Sequence, residues 1–310
     1  MRLFLFAAFA ALTTSATAFA SVDDLYISVD DAKGQMGKAV FVFSDGHKDF
    51  EKEHIKDSTV AFAHDLHFLD DVKKCDGLPM CEANAAKFIG SLGIDNSTPV
   101  IVYDSGIGVN ASGTWFFLAL YGHKNVKILD GGLAAWKAAG GATGSGHHKA
   151  AAKSFKVSVD RSMIANKAEV VKATKDAGGY LIVDARHKLE QYTGKSLQTA
   201  LDHDGKESTV ARGGHIPTAV FSPWTKYAGN KKGVAGKPTF KKDKKLKKQL
   251  KKLKKKGYAK SKTVISYCHV GLGRGSFQYL ALKKAGHDNV KLYVGSWNEW
   301  GNDSSLPVEQ

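Results

Sequence analysis

VISYCHVGLGRGSFQYLALKKAGHDNVKLYVGSWNEW, from Val264 to Trp300, aligns without a gap on VIVYDSGIGVNASGTWFFLALYGHKNVKILDGGLAAW, from Val100 to Trp136, at a constant offset of 164 residues. The offset sets Tyr267 on Tyr103, Ser276 on Ser112 and Leu282 on Leu118. It also sets Gly286, His287, Asn289, Val290 and Lys291 on Gly122, His123, Asn125, Val126 and Lys127. Agreement through polar and apolar positions alike means that one structural unit occurs twice. In both copies a short apolar strand, VIVY or VISY, runs into a glycine-bearing loop. At the end of that strand one copy has Asp104 where the other has Cys268.

Outward from this repeat, each half alternates short apolar strands with helices. In the first half AVFVF (39–43) and VIVY (100–103) read as strands and 82–92 as a helix. In the second half YLIVDA (180–185), AVFS (219–222), VISY (264–267) and VKLYV (290–294) read as strands. Helices fit 163–176, the lysine-rich segment and 276–285, the last stopped by Gly286. This alternation predicts an α/β fold with a mostly parallel sheet in each half, flanked by helices. A chain of 310 residues suffices for two such domains, each with its own core. The joint GGATGSGHHKAAAKS (140–154) reads as a linker, dividing the chain into domains 21–145 and 156–310.

Residues 1–20, MRLFLFAAFAALTTSATAFA, contain Arg2, an apolar run and the small-residue ending Ala18-Phe19-Ala20. That is the form of a secretory signal cleaved near Ala20, which sends the mature protein to the periplasm or outside the cell. An oxidising compartment pairs accessible thiols. Cys75 and Cys81 bracket the short loop DGLPM and are expected to pair, with a zinc site drawing on His64 and His67 as the alternative. Cys268 is left over, either buried and inert or kept for reaction.

The formal net charge of +15 has one source. Between Lys231 and Lys262 sixteen lysines face a single acid, Asp243, and the rest of the chain is balanced. Leu246, Leu250 and Leu253 recur there at helical spacing, so one side docks and the remainder is lysine. The segment reads first as a solvated helix face. Attraction of an anionic substrate, or contact with a membrane surface or another polyanion, competes with that. Nucleic acid is not expected as a partner, because the segment lacks interleaved aromatic residues and the chain carries an export signal.

The thiol of Cys268 precedes HVGLGRGS and then a helix, at the sheet edge where ligands bind in open α/β folds. Gly271, Gly273 and Gly275 let the backbone curl with its N–H groups inward, and the helix start adds its positive dipole end. Such donors lower a thiol pKa and hold an anion, and Arg274 adds a permanent positive charge. A thiolate in this nest either attacks phosphorus or accepts sulfur as a persulfide, and the residue types fit both. The C-x5-R spacing from Cys268 to Arg274 is also that of cysteine phosphatases and arsenate reductases. No cofactor and no metal is expected.

Longer motifs discriminate. VDAR (183–186), GGHIPTAVFSPW (213–224), SYCHVG (266–271), VKLYVGSWNEW (290–300) and LPV (306–308) occur in the second half. HIKDSTVAF (54–62), GLPM (77–80), VIVYDSG (100–106) and LDGGLAAW (129–136) occur in the first. On these the chain resembles the two-domain rhodanese family of thiosulfate and mercaptopyruvate sulfurtransferases, over nearly all of its mature length. The resemblance implies tandem rhodanese-like domains of which only the second is catalytic, Asp104 marking the inactive copy. It implies that Cys268 is the sulfur-accepting nucleophile and that loop amides from His269 to Ser276, Gly271 and Gly273 among them, hold the persulfide and the donor. Arg186 is expected as a second cation facing the substrate beside Arg274, or else as an ion-pair partner of Asp184. His269 is a candidate substrate contact.

The implied substrates are a small anionic sulfur donor, thiosulfate or 3-mercaptopyruvate, and a cyanide or thiol acceptor. The alternatives are a phosphatase or arsenate reductase, or a non-enzymatic sulfur carrier docking through the lysine helix. Three departures from the family pattern stand out: Arg274 lies one place later than a six-residue loop allows, Val294 replaces an acid, and Lys56 replaces a proline. His123 and His287 are expected to share a structural role at helix ends, and Trp136, Trp297 and Trp300 to lie in the core.

Overall fold

The computed structural model describes residues 21–147, 150–197, 199–201 and 207–310. The expected signal at 1–20 lies outside the described residues. Each half is built on a parallel sheet. In the first, the strand order is Tyr26–Ile27, Val126–Leu129, Val100–Tyr103, Val40–Phe43 and Thr59–Val60, all parallel. In the second, it is Val220–Phe221, Tyr180–Asp184, Thr263–Tyr267 and Val290–Leu292, again parallel. A parallel bridge from Ile164 to Leu292 fills the place that Tyr26 takes against Ile128 in the first sheet. Central strands such as Val100–Tyr103 are buried along their whole length, as a sheet covered on both faces requires.

The offset-related helices Val109–Leu120 and Arg274–Lys284 pack on each other between the two sheets, with Phe116 edge-on to Tyr279 at 5.1 Å between ring centroids. Both are buried along most of their length, over Ala111–Leu120 in the first and Gly275–Leu282 in the second. One continuous core therefore joins the halves, while the outer face of each sheet has a separate cluster. Trp136 belongs to one of these clusters, and Trp297 and Trp300 to the other.

Both interface helices end alike. Gly122 (φ 94°) and Gly286 (φ 96°) turn the chain, and the N–H groups of His123 and His287 return to the carbonyls of Leu118 and Leu282. The paired histidines are thus helix-end residues, buried with their glycine turns.

Two sequence expectations shift. The helix expected over 163–176 forms only at Lys167–Ala173, because Ile164 is drawn into the sheet edge and Asn166 caps the helix by accepting the Glu169 N–H at 2.8 Å. The glycine-rich joint does not hang free. Its Thr143–Gly144 pairs antiparallel with His54–Ile55, and Lys153 N–H donates to the Gly90 carbonyl.

Cys75 and Cys81 form a disulfide, which removes the zinc alternative. The loop between them turns through Asp76 (φ 52°) and Gly77 (φ 82°), and Asp76 accepts hydrogen bonds from Arg161 and Asn166 beyond the joint. The lysine segment is a helix, Asp243–Lys254, that buries Leu246, Leu250 and Leu253 and leaves most of its lysines outside. Among the described residues no helix is long and apolar enough to cross a membrane.

Candidate active site

Cys268 leaves the Thr263–Tyr267 strand at the C-terminal edge of the second sheet. It is 1% exposed, and its thiol donates to the Gly271 carbonyl with Sγ 3.6 Å away. The start of the loop is clamped by the turn after the last strand. Trp297 N–H donates to Cys268 O at 3.1 Å and Asn298 N–H to His269 O at 2.9 Å. Cys268 N–H donates to Ser296 Oγ at 3.1 Å, and that hydroxyl donates onward to Tyr293 O at 2.8 Å. Ser296 holds φ at 50°, a left-handed conformation that its offset partner Gly132 adopts at 54° without a side chain. Sequence inspection overlooked Ser296; the signal was a serine standing on the repeat's glycine.

Gly271 must be glycine. Its φ is 81°, and a Cβ there would stand 2.4 Å from the Val294 carbonyl oxygen. Gly273, at φ 93°, ends the loop, and Ser276 fastens it by donating to Gly273 O at 3.0 Å and accepting from Gly273 N at 2.9 Å. The Ser276 hydroxyl is therefore committed to the loop, which leaves its backbone N–H as the group that the expected substrate contact would use.

The copy that carries Asp104 shows what a loop of this length does. Asp104 turns its carboxylate into its own loop and accepts the N–H groups of Gly106 (2.8 Å), Gly108 (2.9 Å), Asn110 (3.2 Å) and Ala111 (3.3 Å). Four amides converge on one anion. Burial, then the neighbouring Asp45, push the Asp104 carboxyl up to about 6 even against these donors. The second copy has the same loop length with a sulfur at the anion's root, and its left-handed glycines move by one position, from 106 and 108 to 271 and 273.

Arg186 does not face the substrate as a free cation. It is wholly buried, with Nη2 2.6 Å from Asp184 Oδ2 and 2.7 Å from Gly214 O, and with its guanidinium carbon 4.9 Å from the Trp297 ring centroid. A guanidinium two residues from a buried carboxylate, at the end of the same strand, pairs with it rather than remain uncompensated. Tyr267 Oη donates to the same carboxylate at 2.7 Å. Arg274 is the partly exposed cation, at the first turn of the following helix, with Nη1 3.3 Å from His187 Nδ1.

His269 is buried, and neither ring nitrogen has a hydrogen-bond partner. Burial, then Arg274 and Arg186, push its pKa down to about 3. The first half contributes to this surface. A Cβ on Gly113 would stand 2.7 Å from Gly273 N and 2.9 Å from Ala63 Cβ, so the Cys268 loop presses on the first half where His64 and His67 follow. Burial and Arg274 bring His64 down to about 4, and burial and His64 do the same to His67. In the sequence these two histidines suggest only spare zinc ligands; their nearness to Arg274 and His269 depends on a contact between halves that no local pattern encodes.

The cover is reciprocal. Asn230 Nδ2 from the second half donates to Gly106 O in the Asp104 loop at 3.0 Å. Among the described residues no group of three or more His, Cys, Asp or Glu is placed to hold a metal ion.

A tandem parallel fold with one thiol loop and one carboxylate loop has known relatives. The family described as rhodanese-like domain matches residues 28–139 and 167–303, and the chain belongs to that family as a rhodanese-type enzyme with two domains. A Saccharopolyspora erythraea protein, provisionally assigned as a thiosulfate sulfurtransferase, is 36% identical over 72% of this chain and 74% of its own. The thiosulfate sulfurtransferase of Gallus gallus is 28% identical over 83% of this chain and 81% of its own. In architecture the chain is similar to the 3-mercaptopyruvate sulfurtransferase SseA of Escherichia coli, with a TM-score of 0.68 at 22% identity, covering 88% of this chain and 98% of that one.

Proposed function

We propose that the protein is an exported sulfurtransferase that takes the outer sulfur of thiosulfate, or the thiol sulfur of 3-mercaptopyruvate with pyruvate enolate as the leaving group, onto Cys268 and passes it to cyanide or a thiol. The observation that carries this is the pair of equal loops, one folded around the Asp104 carboxylate through four amides and the other carrying a buried thiol, Cys268, at the equivalent position. The Cys268 thiolate attacks the outer sulfur of thiosulfate, the S–S bond of the donor breaks, and its electron pair leaves with sulfite. The amides of the nest and Arg274 stabilise the anionic sulfur left on the enzyme. Transfer to the acceptor then regenerates the thiolate, and the two half-reactions give ping-pong kinetics.

Incubation with thiosulfate should add one sulfur to the wild type by intact mass and none to Cys268→Ser. No adduct, or equal adducts, would overturn the persulfide. A steady-state comparison of thiosulfate with 3-mercaptopyruvate identifies the donor. The Cys75–Cys81 disulfide supports an oxidising compartment after cleavage near Ala20, and N-terminal sequencing of the exported protein tests it. The lysine helix fits an electrostatic contact with a polyanion at that location.

A further inference from the structure

Two arginines lie within electrostatic reach of the Cys268 loop, and they are held in opposite ways. Arg186 is paired with the Asp184 carboxylate. The one hydrogen bond of the Arg274 side chain among the described residues is to His187, with Nη1 3.3 Å from Nδ1. Arg274 stands between Gly273 and Gly275, and a Cβ on Gly275 would lie 3.6 Å from Cys268 Sγ. A guanidinium at that place, with no carboxylate against it, draws an anion towards the thiol.

A guanidinium has only N–H donors, so the His187 nitrogen that faces it must offer a lone pair. The ring then carries its hydrogen on Nε2 and is neutral. Partial desolvation, then Arg274 and Lys188, hold the His187 pKa below the ordinary histidine range, in keeping with that state. The bond occupies Nη1. It leaves the Nε–Nη2 edge of Arg274, a side-on fork for two oxygens of a sulfonate or carboxylate, without a partner among the described residues.

The first half contains the same tether with a different charge. At the offset of 164 residues Asn110 stands on Arg274, and its Nδ2 donates to Asp45 Oδ1 at 2.7 Å. Phe43 pairs with Tyr103 as Asp184 pairs with Tyr267, so the exits of these two strands correspond. Asp45 lies two residues past one exit and His187 three past the other. In each half a side chain at the start of the helix after the loop is thus held from the exit of the neighbouring strand. A carboxylate in that place would neutralise Arg274, as Asp184 neutralises Arg186. An imidazole holds the guanidinium and leaves its charge.

We propose that His187 is the positioning residue for the sulfur donor, fixing Arg274 through Nδ1 so that the open edge of the guanidinium receives the donor's anionic group with its charge undiminished. The proposal rests on the sulfurtransferase reading above. His187 acts through Arg274 and not on the sulfur that moves, so its effect falls on donor binding and not on the chemical step.

The test is steady-state kinetics of the full-length protein with thiosulfate and cyanide, carried through a double-mutant cycle. His187 is exposed, so its variants should keep the wild-type urea midpoint. His187→Ala should raise KM for thiosulfate about fivefold at unchanged kcat, the scale of one net hydrogen bond. His187→Asn, whose Oδ1 can accept in the place of Nδ1, should return KM to within about twofold of the wild type. In an Arg274→Ala background His187→Ala should change nothing further, because the group it positions is gone. An unchanged KM in His187→Ala, an Asn variant as impaired as the Ala variant, or the same rise in KM with and without Arg274 overturns the proposal. Failure of the wild type to gain a sulfur from thiosulfate by intact mass overturns the sulfurtransferase reading and the proposal with it; loading without these KM effects overturns the proposal alone.

Discussion

Cys268 and Asp104 share one backbone position and differ in how the loop anion is supplied. The Asp104 carboxylate accepts four N–H groups of its own loop, whereas the Cys268 thiol donates to the Gly271 carbonyl, so the backbone at Gly271 sets where the thiol lies. Gly271→Ala should therefore damage both fold and loading, because the new Cβ meets Val294 O and φ 81° is strained for alanine. We expect a loss of about 2 kcal/mol in urea unfolding, together with slower sulfur loading by mass.

The two arginines should separate. Arg186→Ala leaves Asp184 buried and unpaired, which predicts a loss of about 3–5 kcal/mol. Arg274→Ala should leave the urea midpoint nearly unchanged and raise KM for thiosulfate by about tenfold, the value of roughly one surface-to-pocket charge contact. Equal effects of the two variants on the urea midpoint would contradict their assigned places. VDAR announced a functional arginine, but only the partners within reach show that its charge is already spent on Asp184.

At the scale of elements, the lysine helix joins two properties that mutation can part. Leu250→Ala removes one of three anchors and should cost about 2–4 kcal/mol in unfolding experiments. Replacing Lys247, Lys248, Lys251 and Lys252 by Gln should leave the fold intact. Lys226 and Lys241 are held below the ordinary lysine pKa by burial and then by neighbouring lysines, Lys252 among them for both, so thinning the charge relieves repulsion. The same variant should lose any salt-sensitive binding of inorganic polyphosphate; wild-type protein that fails to bind polyphosphate at low salt would remove the polyanion contact. The apolar stripe of this helix was legible because its period is local. The late start of the Lys167–Ala173 helix was not, since the sheet edge captured Ile164 from outside the segment.

Across the whole molecule, the seam between halves governs acid behaviour. His67 and His269 are buried and His64 half-buried, and all three are held neutral, with folded-state pKa values of about 4, 3 and 4 against an ordinary 6.5. The unfolded chain binds more protons than the folded one between these limits, so stability is full above about pH 6.5 and falls as pH drops towards 4. Each histidine should contribute on the order of 2 kcal/mol to that loss. His67→Gln should flatten the acid limb of a stability-against-pH curve, and an unchanged limb would place His67 in solvent instead.

What the sequence determined by itself is the duplication, the parallel α/β grammar, the single free thiol and its glycine loop. All of these rest on residues near one another in the chain or on a repeat that can be read by eye. The tertiary structure decided which side chains surround that thiol. It turned Arg186 inward to Asp184, tied Ser276 to its own loop, set Ser296 under the Cys268 amide, and brought His64 and His67 across the seam. Those outcomes depend on burial and on distances between segments far apart in the chain, and a local pattern of residue types carries neither.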